Sequence, residues 1–268
     1  MSTDDVLGLD GKVVCITGGA KGIGASIATQ FAKVGASVAV LDIDAAAGAA
    51  LVGDVSKRDG GKIRFLEADA SDPDDLTRSI ETVGRDHGRL DCLINNVARF
   101  TGWSTIDSFE PEAFVDLLRV NVVSYFVAAK AALPLLRTTG GSIVNIGSLG
   151  GQIGLYHDAL YSASKGAIAS FTKSLAMDES EHGVRVNAVL PGNVLSDART
   201  RGMEDHPNRA EVHEMLEAMS WLGRSADVAE IAGAVMFLAS DLASYCTGTC
   251  LIVSGGMELG PAPRVRYS

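Results

Sequence analysis

The sequence predicts an α/β fold with one doubly wound, parallel, seven-stranded sheet and helices on both faces. Short β-branched runs alternate with longer stretches of helical periodicity, which is the pattern of repeated βα units joined by right-handed crossovers. Most of the strand-like runs are apolar throughout, as parallel strands covered on both faces are. The 268 residues are 47% hydrophobic and 21% charged, so the chain can bury a large core in a single domain, residues 1–268.

The first half of the chain supplies four predicted strands and two predicted helices. Each strand is a short run rich in apolar residues, and Pro73 stands where the first turn of a helix accepts proline. The strands are predicted at Lys12–Thr17, Ser37–Asp42, Ile63–Glu67 and Cys92–Asn95. The helices are predicted at Ile23–Val34 and Pro73–Asp86.

The second half supplies three more strands and three helices. Pro111 marks a helix start in the same way as Pro73. The polar stretch Asn193–Leu222 is longer than an ordinary connection, and we expect it to be a substrate lid. The strands are predicted at Ser142–Ile146, Arg185–Leu190 and Cys250–Val253. The helices are predicted at Pro111–Leu136, Ala159–Asp178 and Ala226–Ser240, the last with one apolar face made of Val228, Ile231, Ala232, Val235 and Leu238.

Charge and composition argue against several classes of partner. The net charge of −10 repels nucleic acid and anionic membrane surfaces. The longest uncharged run, Thr138–His157, contains six glycines and is interpreted as a strand and a loop rather than a membrane span. The segment Met1–Asp5 lacks the features of a secretory signal, so we expect a cytoplasmic protein. The four cysteines have no zinc-finger spacing, so we expect reduced thiols and no metal site.

A glycine-rich turn follows the first strand and opens the first helix. Gly18, Gly22 and Gly24 leave backbone N–H groups unobstructed at the positive end of a helix dipole, which is what a pyrophosphate needs. A turn of this kind can also occur with no ligand. Asp42, about 20 residues on at the end of the second strand, can accept hydrogen bonds from both ribose hydroxyls of an adenosine; an isolated Asp there could equally cap a helix. Together they predict a dinucleotide site for NAD.

A second constellation consists of Ser148, Tyr161 and Lys165. Tyr161 and Lys165 are four residues apart in a predicted helix and share a face, and Ser148 follows the fifth strand at the same edge of the sheet. A phenol has a reference pKa of about 10, but a neighbouring ammonium and a positive nicotinamide ring both favour phenolate. These residues could deprotonate an alcohol, although a Tyr-x-x-x-Lys pair alone also fits an exposed helix surface.

From about Gly11 to Gly260 the chain resembles the short-chain dehydrogenase/reductase family, which has a Rossmann-like fold. The family's motifs occur in order: the turn 17–24, Asp69, Asn95-Asn96-Val97-Ala98, Asn121, Ser148, Tyr161-Ser162-Ala163-Ser164-Lys165 and Pro191-Gly192. Within the family, scaffold stretches such as Leu175–Ser180, Gly183–Asn187 and Glu258–Gly260 resemble the branch of 17β-hydroxysteroid dehydrogenase type 14 and L-fucose dehydrogenase. The resemblance implies hydride transfer between NAD(H) and a secondary alcohol, sugar hydroxyl or ketone.

The resemblance also implies the roles of the catalytic residues. Tyr161 would be the acid/base, and Ser148 would orient the substrate oxygen. Lys165 would hold the nicotinamide ribose and lower the pKa of Tyr161. Asn121 would anchor a water that connects Lys165 to solvent.

The same resemblance implies a set of cofactor contacts. Asp69 would accept from the adenine amino group, Asn95 would line the cofactor beneath it, and Val194 would meet the carboxamide. The full predicted set is Gly18, Lys21, Gly22, Ile23, Gly24, Asp42, Asp69, Ala70, Asn95, Val97, Tyr161, Lys165, Pro191, Gly192, Val194 and Ser196.

Departures from the family pattern occur at two places. Val97 and Ala98 stand where the family usually has Ala-Gly, which puts Cβ atoms close to the expected cofactor path. Ser196 replaces the usual Thr and keeps the hydroxyl.

The residues expected around the substrate do not follow that branch. Arg99 and His157 are the polar substrate candidates, with a solvated loop cation and a surface histidine as the alternatives. Trp103 is a third candidate, although a packing role suits it as well. The family usually assembles as tetramers, so we expect a homotetramer, with the apolar stretch Phe114–Leu136 compatible with such an interface.

Two alternative functions fit the same motifs. The first is an NADPH-dependent carbonyl reductase, which Lys21 in the glycine turn favours and Asp42 opposes. The second is a non-catalytic dinucleotide-binding regulatory protein, because a fold alone does not guarantee chemistry. Retention of Asn121, Ser148, Tyr161 and Lys165 argues against the second.

Overall fold

Seven parallel strands form the central sheet in the part of the chain that the computed structural model describes, residues 6–59, 61–102, 104–196 and 208–260. In chain order the strands are β1 (Val13–Thr17), β2 (Ser37–Asp42), β3 (Lys62–Glu67), β4 (Cys92–Asn95), β5 (Ser142–Ile146), β6 (Arg185–Pro191), β7 (Val194–Leu195), β8 (Ala226–Asp227) and β9 (Cys250–Val253). The sheet order is β3-β2-β1-β4-β5-β6-β9. The order reverses between β1 and β4, where a ligand crevice opens at the carboxyl ends of the strands.

Helices cover both faces of the sheet. They are α1 (Gly22–Lys33), α2 (Ala45–Asp59), α3 (Pro73–His87), α4 (Pro111–Leu118), α5 (Ser124–Thr139), α6 (Ala159–Glu179), α7 (Arg209–Ala218) and α8 (Val228–Ala239). One apolar core lies between the sheet and α1, α2 and α8. The other lies between the sheet and α3, α5 and α6. The predicted doubly wound sheet with helices on both faces is confirmed.

Helix α2 is an element that the sequence analysis did not predict. Asp44 caps its start by accepting a hydrogen bond from the Ala47 N–H at 2.9 Å. Its glycines interrupt the helical periodicity, yet Gly48 is required, because a Cβ there would collide with the ring of Phe65 on β3. A tertiary contact therefore dictates a residue that obscures the local signal.

The helix predicted at Pro111–Leu136 consists of three consecutive segments in the structure. A π-helical turn, Arg119–Val123, separates α4 from α5, and such turns are frequent at functional sites. The helix then continues past the predicted end to Thr139, where Gly140 stops it in a left-handed conformation with φ of +58°. The turn matters because it contains Asn121.

The last predicted helix begins two residues later than expected. Ala226 and Asp227 form strand β8, which pairs in parallel with β7. Asp227 then caps α8 through a capping box with Glu230, which satisfies two helix-end donors and makes Val228 the first helical residue.

Within the described residues, one helical stretch, Pro111–Thr139, is long and apolar enough for a membrane span, with 29 residues and a mean hydropathy of 1.3 in its most apolar window. Of that window, 44% is buried within the protein. Ala128, Ala132 and Leu136 lie in the core shared with α3 and α6. Because the core helix of a soluble protein passes the same test, length and composition are weak evidence for a span here.

Candidate active site

The glycine-rich turn joins β1 to α1 at the crevice. Gly18 and Gly22 adopt left-handed conformations, with φ of +64° and +53°, which only glycine adopts at little cost. A Cβ at Gly24 would collide with the carbonyl oxygen of Gly18. Ile23 lies in the first turn of α1. The turn therefore has the open backbone that a pyrophosphate requires at the N-terminus of a helix.

Asp42 lies beside this turn at the end of β2. Its Oδ2 accepts a hydrogen bond from the Ala20 N–H, and its Oδ1 accepts one from the Asp44 N–H, both at 3.0 Å. The carboxylate is half-buried, and each oxygen keeps a lone pair for a further donor. Asp42 thus fixes the glycine turn and presents negative charge at the edge of the crevice.

Lys21 and Asp44 form an ion pair next to Asp42. The hydrogen bond from Lys21 is the main cause that lowers the pKa of Asp44. Lys21, the one predicted residue that favours a phosphorylated cofactor, is therefore held by a carboxylate. Asp44 was missed by the sequence analysis, although its position two residues after Asp42 was visible.

Asp69 and Ala70 follow β3 at the same edge of the sheet. The Oδ1 atom of Asp69 accepts hydrogen bonds from the Ser71 N–H at 2.8 Å and from the Ser71 hydroxyl at 2.7 Å. This contact fixes the carboxyl group, whose Oδ2 is the atom that could accept from an adenine amino group. Ala70 is half-buried beside it.

Asn95 and Asn96 at the end of β4 have different surroundings. The Asn95 side chain is fully buried, and its Nδ2 donates to Oδ1 of Asn145 at 2.9 Å, which ties β4 to β5. Its own Oδ1 has no hydrogen-bond partner among the described residues. The Asn96 side chain donates to the Gly18 carbonyl at 2.6 Å. Val97, the next residue, borders the glycine turn, since a Cβ on Gly18 would lie 3.0 Å from the Val97 Cα atom.

The far edge of the crevice is formed by the end of β6 and by β7. The Gly192 N–H donates to the Val253 carbonyl at 3.0 Å, and a Cβ on Gly192 would crowd the Cα atom of Ser254 at 2.8 Å. Val194 is buried in β7, and Ser196 lies close to Gly22 across the crevice, because a Cβ on Gly22 would lie 3.7 Å from its Cβ. Ser196 therefore lies beside the glycine turn, and Pro191, Gly192 and Val194 precede it along the chain.

Ser148, Tyr161 and Lys165 meet where β5 ends against α6. Burial and, to a smaller extent, the charge of Asp158 raise the pKa of Tyr161 to about 12, while a hydrogen bond with Ser148 lowers it. The Lys165 Nζ atom lies 5.8 Å from the centroid of the Tyr161 ring. Burial lowers the pKa of Lys165 to about 7. The three predicted side chains are therefore brought together.

Asn121 is fully buried in the π-helical turn. Its Oδ1 accepts from the Arg99 N–H at 2.7 Å, and its Nδ2 donates to the Arg99 carbonyl at 3.0 Å and to the Ser164 hydroxyl at 3.1 Å. The side chain clamps the loop after β4 against α6. Asn121 thus reaches the residue next to Lys165 rather than Lys165 itself.

Comparison with known proteins agrees with this geometry. A family model described as enoyl-(acyl carrier protein) reductase matches residues 18–258. L-fucose dehydrogenase of Bos taurus is 40% identical over 251 residues, which cover 93% of this chain and 90% of that protein. Cyclopentanol dehydrogenase of Comamonas testosteroni is 36% identical over 246 residues, which cover 91% of this chain and 96% of that protein.

Solved structures match over nearly the whole chain. A short-chain dehydrogenase/reductase from Serratia marcescens BCRC 10948 has a TM-score of 0.85 at 33% identity, covering 93% of this chain and 98% of that one. The chain belongs to the short-chain dehydrogenase/reductase family. L-sorbose reductase from Gluconobacter frateurii, solved with NADPH and L-sorbose, has a TM-score of 0.88 at 26% identity, covering 94% and 98% of the two chains.

As a short-chain dehydrogenase/reductase, the protein is an oxidoreductase that acts on CH–OH groups. Two loops lie next to the catalytic residues. The Ser104 N–H donates to the His157 carbonyl at 2.9 Å, which joins the loop after β4 to the loop before α6. The Phe100 ring packs edge-on against Tyr161, with centroids 5.3 Å apart.

The structure describes two of the three substrate candidates of this enzyme. The side chain of Arg99 is exposed next to Phe100. His157 is half-buried and has a left-handed backbone, with φ of +56°, which costs a residue with a Cβ about 1–2 kcal/mol. Trp103 lies outside the described residues.

Two buried titratable residues of this site were missed by the sequence analysis. Asp158 is 4% exposed, and its Oδ1 has no hydrogen-bond partner within the described structure. Burial is the main cause that raises its pKa to about 6. Tyr125 of α5 is fully buried, and its hydroxyl lies 3.4 Å from Lys165 Nζ. Within the described residues, no group of three His, Cys, Asp or Glu side chains is placed to hold a metal ion.

Proposed function

We propose that this enzyme is an NAD-dependent dehydrogenase of secondary alcohols, with a cyclic alcohol or sugar as its substrate. The observation that carries the cofactor choice is the pair of carboxylates at the adenosine end of the crevice. Asp42 is held beside the glycine turn by two backbone N–H groups, and Asp44 forms an ion pair with the nearby Lys21.

Electrostatics favours a cofactor without a 2′-phosphate. A unit-charge pair about 4 Å apart near a protein surface interacts with roughly 4 kcal/mol, and a 2′-phosphate carries up to two negative charges. An exposed lysine recovers only about 0.2–1 kcal/mol in a surface ion pair. Because Lys21 is 42% exposed and already paired with Asp44, the repulsion from Asp42 outweighs its attraction.

The residues of the crevice suit a bound dinucleotide. The open glycine turn would hold the pyrophosphate, Asp42 would accept from the ribose hydroxyls, and Asp69 would accept from the adenine amino group. When bound, NAD supplies a hydride acceptor at its nicotinamide ring. Val97 lies against Gly18 of the turn, and its side chain is larger than the family's usual alanine.

The catalytic residues handle the proton of the substrate hydroxyl. Ser148 would donate a hydrogen bond to the substrate oxygen, and Tyr161 in its phenolate form would accept the hydroxyl proton. The products are a ketone, or a lactone from a sugar hemiacetal, and reduced cofactor. Since burial raises the pKa of Tyr161 to about 12, the positive charge of Lys165 is needed to bring the phenolate within reach.

The substrate class is supported by the relatives and by the loops. L-fucose dehydrogenase and cyclopentanol dehydrogenase are both named for substrates with a ring that carries a hydroxyl. The ring of Phe100 beside Tyr161 offers an apolar wall, and Arg99 and His157 offer polar groups remote from the reacting oxygen. We include residues 193–222 as a substrate lid, of which residues 197–207 lie outside the described part of the chain and helix α7 lies within it. Its ends are anchored, because β7 pairs with β8 and the Leu222 N–H donates to Gly255 at 3.2 Å.

An NADPH-dependent carbonyl reductase is the second candidate. The similarity to L-sorbose reductase, which was solved with NADPH, favours it, and Lys21 is the residue that would bind the extra phosphate. The ion pair of Lys21 with Asp44 weighs against it. A regulatory protein without turnover is disfavoured, because Ser148, Tyr161 and Lys165 are all present and lie close together.

We further propose a cytoplasmic homotetramer, which is the usual assembly of the family. Phe126 on α5 is 52% exposed and Met177 on α6 is 78% exposed, which suits burial against another subunit. The four free cysteines suit a reducing compartment. Light scattering coupled to gel filtration measures the mass directly, and a monomer in solution would contradict the assembly.

The function is tested with a panel of sugars, cyclic alcohols and steroids, each assayed with NAD and with NADP by the absorbance of the reduced cofactor. We expect turnover of at least one sugar or cyclic alcohol with NAD. Tyr161→Phe serves as the control for contaminating activity. Faster turnover with NADP, or reduction of ketones with NADPH alone, would replace this proposal with the second candidate.

A further inference from the structure

A buried tyrosine on α5 contacts the ammonium group of Lys165. Tyr125 is fully buried, and its hydroxyl lies 3.4 Å from Lys165 Nζ. Both groups also reach the Ile146 carbonyl at the end of β5, Tyr125 at 2.9 Å and Lys165 at 2.8 Å. The ammonium therefore lies between two phenol rings, 5.4 Å from the centroid of Tyr125 and 5.8 Å from that of Tyr161.

The direction of these hydrogen bonds follows from proton counting. A tyrosine hydroxyl has one proton, and Tyr125 donates it to the Ile146 carbonyl. Its oxygen can then only accept, and the ammonium of Lys165 has three protons to donate. Burial raises the pKa of Tyr125 well above its usual value, so the hydroxyl keeps its proton throughout the working pH range.

We propose that Tyr125 is a positioning residue for Lys165, whose ammonium it holds beneath Tyr161 by accepting a hydrogen bond. The inference rests on the proposed function, in which the charge of Lys165 favours the Tyr161 phenolate, and on the ribose contact that the family resemblance implies for Lys165.

The groups around the ammonium explain why a neutral acceptor matters here. Tyr161 faces it from α6, Tyr125 faces it from α5, and β5 contributes the Ile146 carbonyl. No carboxylate lies within 4 Å of Lys165 Nζ among the described residues; Asp158 acts on Tyr161 from the start of α6. The buried ammonium, with its pKa lowered to about 7, depends on its two oxygen acceptors to remain charged.

A proton relay is a different role, and the geometry does not favour it. Tyr125 has no exposed surface, and its one proton is held by a backbone carbonyl that cannot pass it on. Tyr125 therefore fixes the position and charge of Lys165 without carrying protons to solvent.

The experiment measures NADH binding by fluorescence at about pH 6 and about pH 8, on either side of the pKa of Lys165. We expect Tyr125→Phe to weaken binding by about 3–10-fold at the higher pH and by less than about 2-fold at the lower pH, because a lost acceptor deprotonates the lysine earlier. Tyr245→Phe is the matched control, since Tyr245 is fully exposed, and it should change neither value.

A double-mutant cycle separates positioning from structural damage. In a Lys165→Met background, Tyr125→Phe should have no further effect on NADH binding at either pH. An equal loss at both pH values, or the same loss without the lysine, would overturn the proposal. If Lys165→Met alone left NADH binding unchanged, the proposed role of Lys165 at the cofactor would fail instead.

A second measurement needs no substitution at Tyr125 and no role for the cofactor. In protein carrying 3-fluorotyrosine, the fluorine resonance of Tyr125 should shift with the protonation of Lys165, and Lys165→Met should abolish that shift. The resonance is assigned by replacing the four other tyrosines of the chain with phenylalanine. A fluorine chemical shift of Tyr125 that does not change with the protonation of Lys165 would overturn the proposal, even if Tyr125→Phe did not fold.

Discussion

At the adenosine end of the crevice, Asp42 has a backbone N–H on each carboxylate oxygen, whereas at the catalytic end Asp158 has a buried oxygen with no partner among the described residues. Lys21 at the first end is exposed and paired with Asp44, while Lys165 at the second is 1% exposed and donates to two neutral oxygen atoms. Satisfied charges suit a rigid binding site. Buried charges without counter-ions have displaced pKa values, which suits proton transfer near neutral pH.

The largest test of this contrast is Tyr161→Phe, which removes the proton acceptor and leaves the adenosine end intact. We expect kcat to fall by about three orders of magnitude or more, since general acid–base groups contribute roughly 10²–10⁴-fold. NADH affinity, measured by fluorescence, should remain within about 3-fold of wild type, because the cofactor is held mainly by other residues. Turnover close to that of the wild type would remove Tyr161 from the chemistry.

The adenosine end is tested by the choice between NAD and NADP. We expect the wild type to prefer NAD by at least about a hundredfold in kcat/KM, from the repulsion estimated above. Asp42→Ser should erase most of this preference, and Lys21→Ala should barely change it, because Lys21 is engaged by Asp44.

Asp42→Asn is the control that separates charge from support of the turn. The amide keeps one oxygen acceptor for the backbone but loses the charge, so it should lose the cofactor preference with less damage to NAD binding than Asp42→Ser. Both cofactors are assayed at matched ionic strength. A wild-type enzyme that used them equally would show that the Asp42 charge does not face the ribose.

The sequence was most informative where function depends on backbone geometry. Gly18, Gly22 and Gly24 are dictated by positive φ values or by close backbone approach, and Asp42 belongs to the next strand of the sheet. Each requirement involves residues that are near in sequence or at equivalent strand ends. The parallel sheet followed from continuous apolar runs for the same reason.

The catalytic end was less accessible from sequence, because its features depend on tertiary neighbours. Tyr125 looked like one more apolar position of α5, and only the end of β5 and the side chain of Lys165 give its hydroxyl a purpose. Asp158 resembled an ordinary polar residue before a helix until its burial was known. The π-helical turn around Asn121 has no distinctive composition.

His157 belongs to neither the adenosine end nor the catalytic end of the crevice, and we place it on the substrate side. We expect both His157→Ala and His157→Gly to raise KM for the best substrate by about 2–10-fold, the range of one lost hydrogen bond, with a smaller change in kcat. The glycine variant should be more stable than the alanine variant by about 1 kcal/mol, because only glycine relieves the positive φ of 56°. Thermal unfolding and steady-state kinetics measure the two effects separately. Unchanged KM values would assign His157 to the loop structure alone.

Asp158→Asn is expected to have the smallest effect on turnover, and it tests whether an unsatisfied charge is what distinguishes the catalytic end. The folded-state pKa of about 6 lies above the ordinary value of 3.8, so the protonated form contributes stability that is complete below about pH 4 and lost as the pH rises through about 6. Replacing the carboxyl with an amide should therefore stabilise the enzyme by about 1–3 kcal/mol at pH 7 and leave it nearly unchanged at about pH 4. Because the Asp158 charge also raises the pKa of Tyr161, the rise of kcat with pH in the oxidation direction should move to lower pH by less than about one unit.

Ser162→Ala is the matched control, since it removes the hydrogen bond to Asp158 and keeps the carboxyl group. Because that hydrogen bond lowers the pKa of Asp158, its loss should raise this pKa further and should not stabilise the enzyme at pH 7. A variant Asp158→Asn with no gain in stability at pH 7 would show that this carboxylate is satisfied in solution, and the contrast between the two ends would then rest on Lys165 alone.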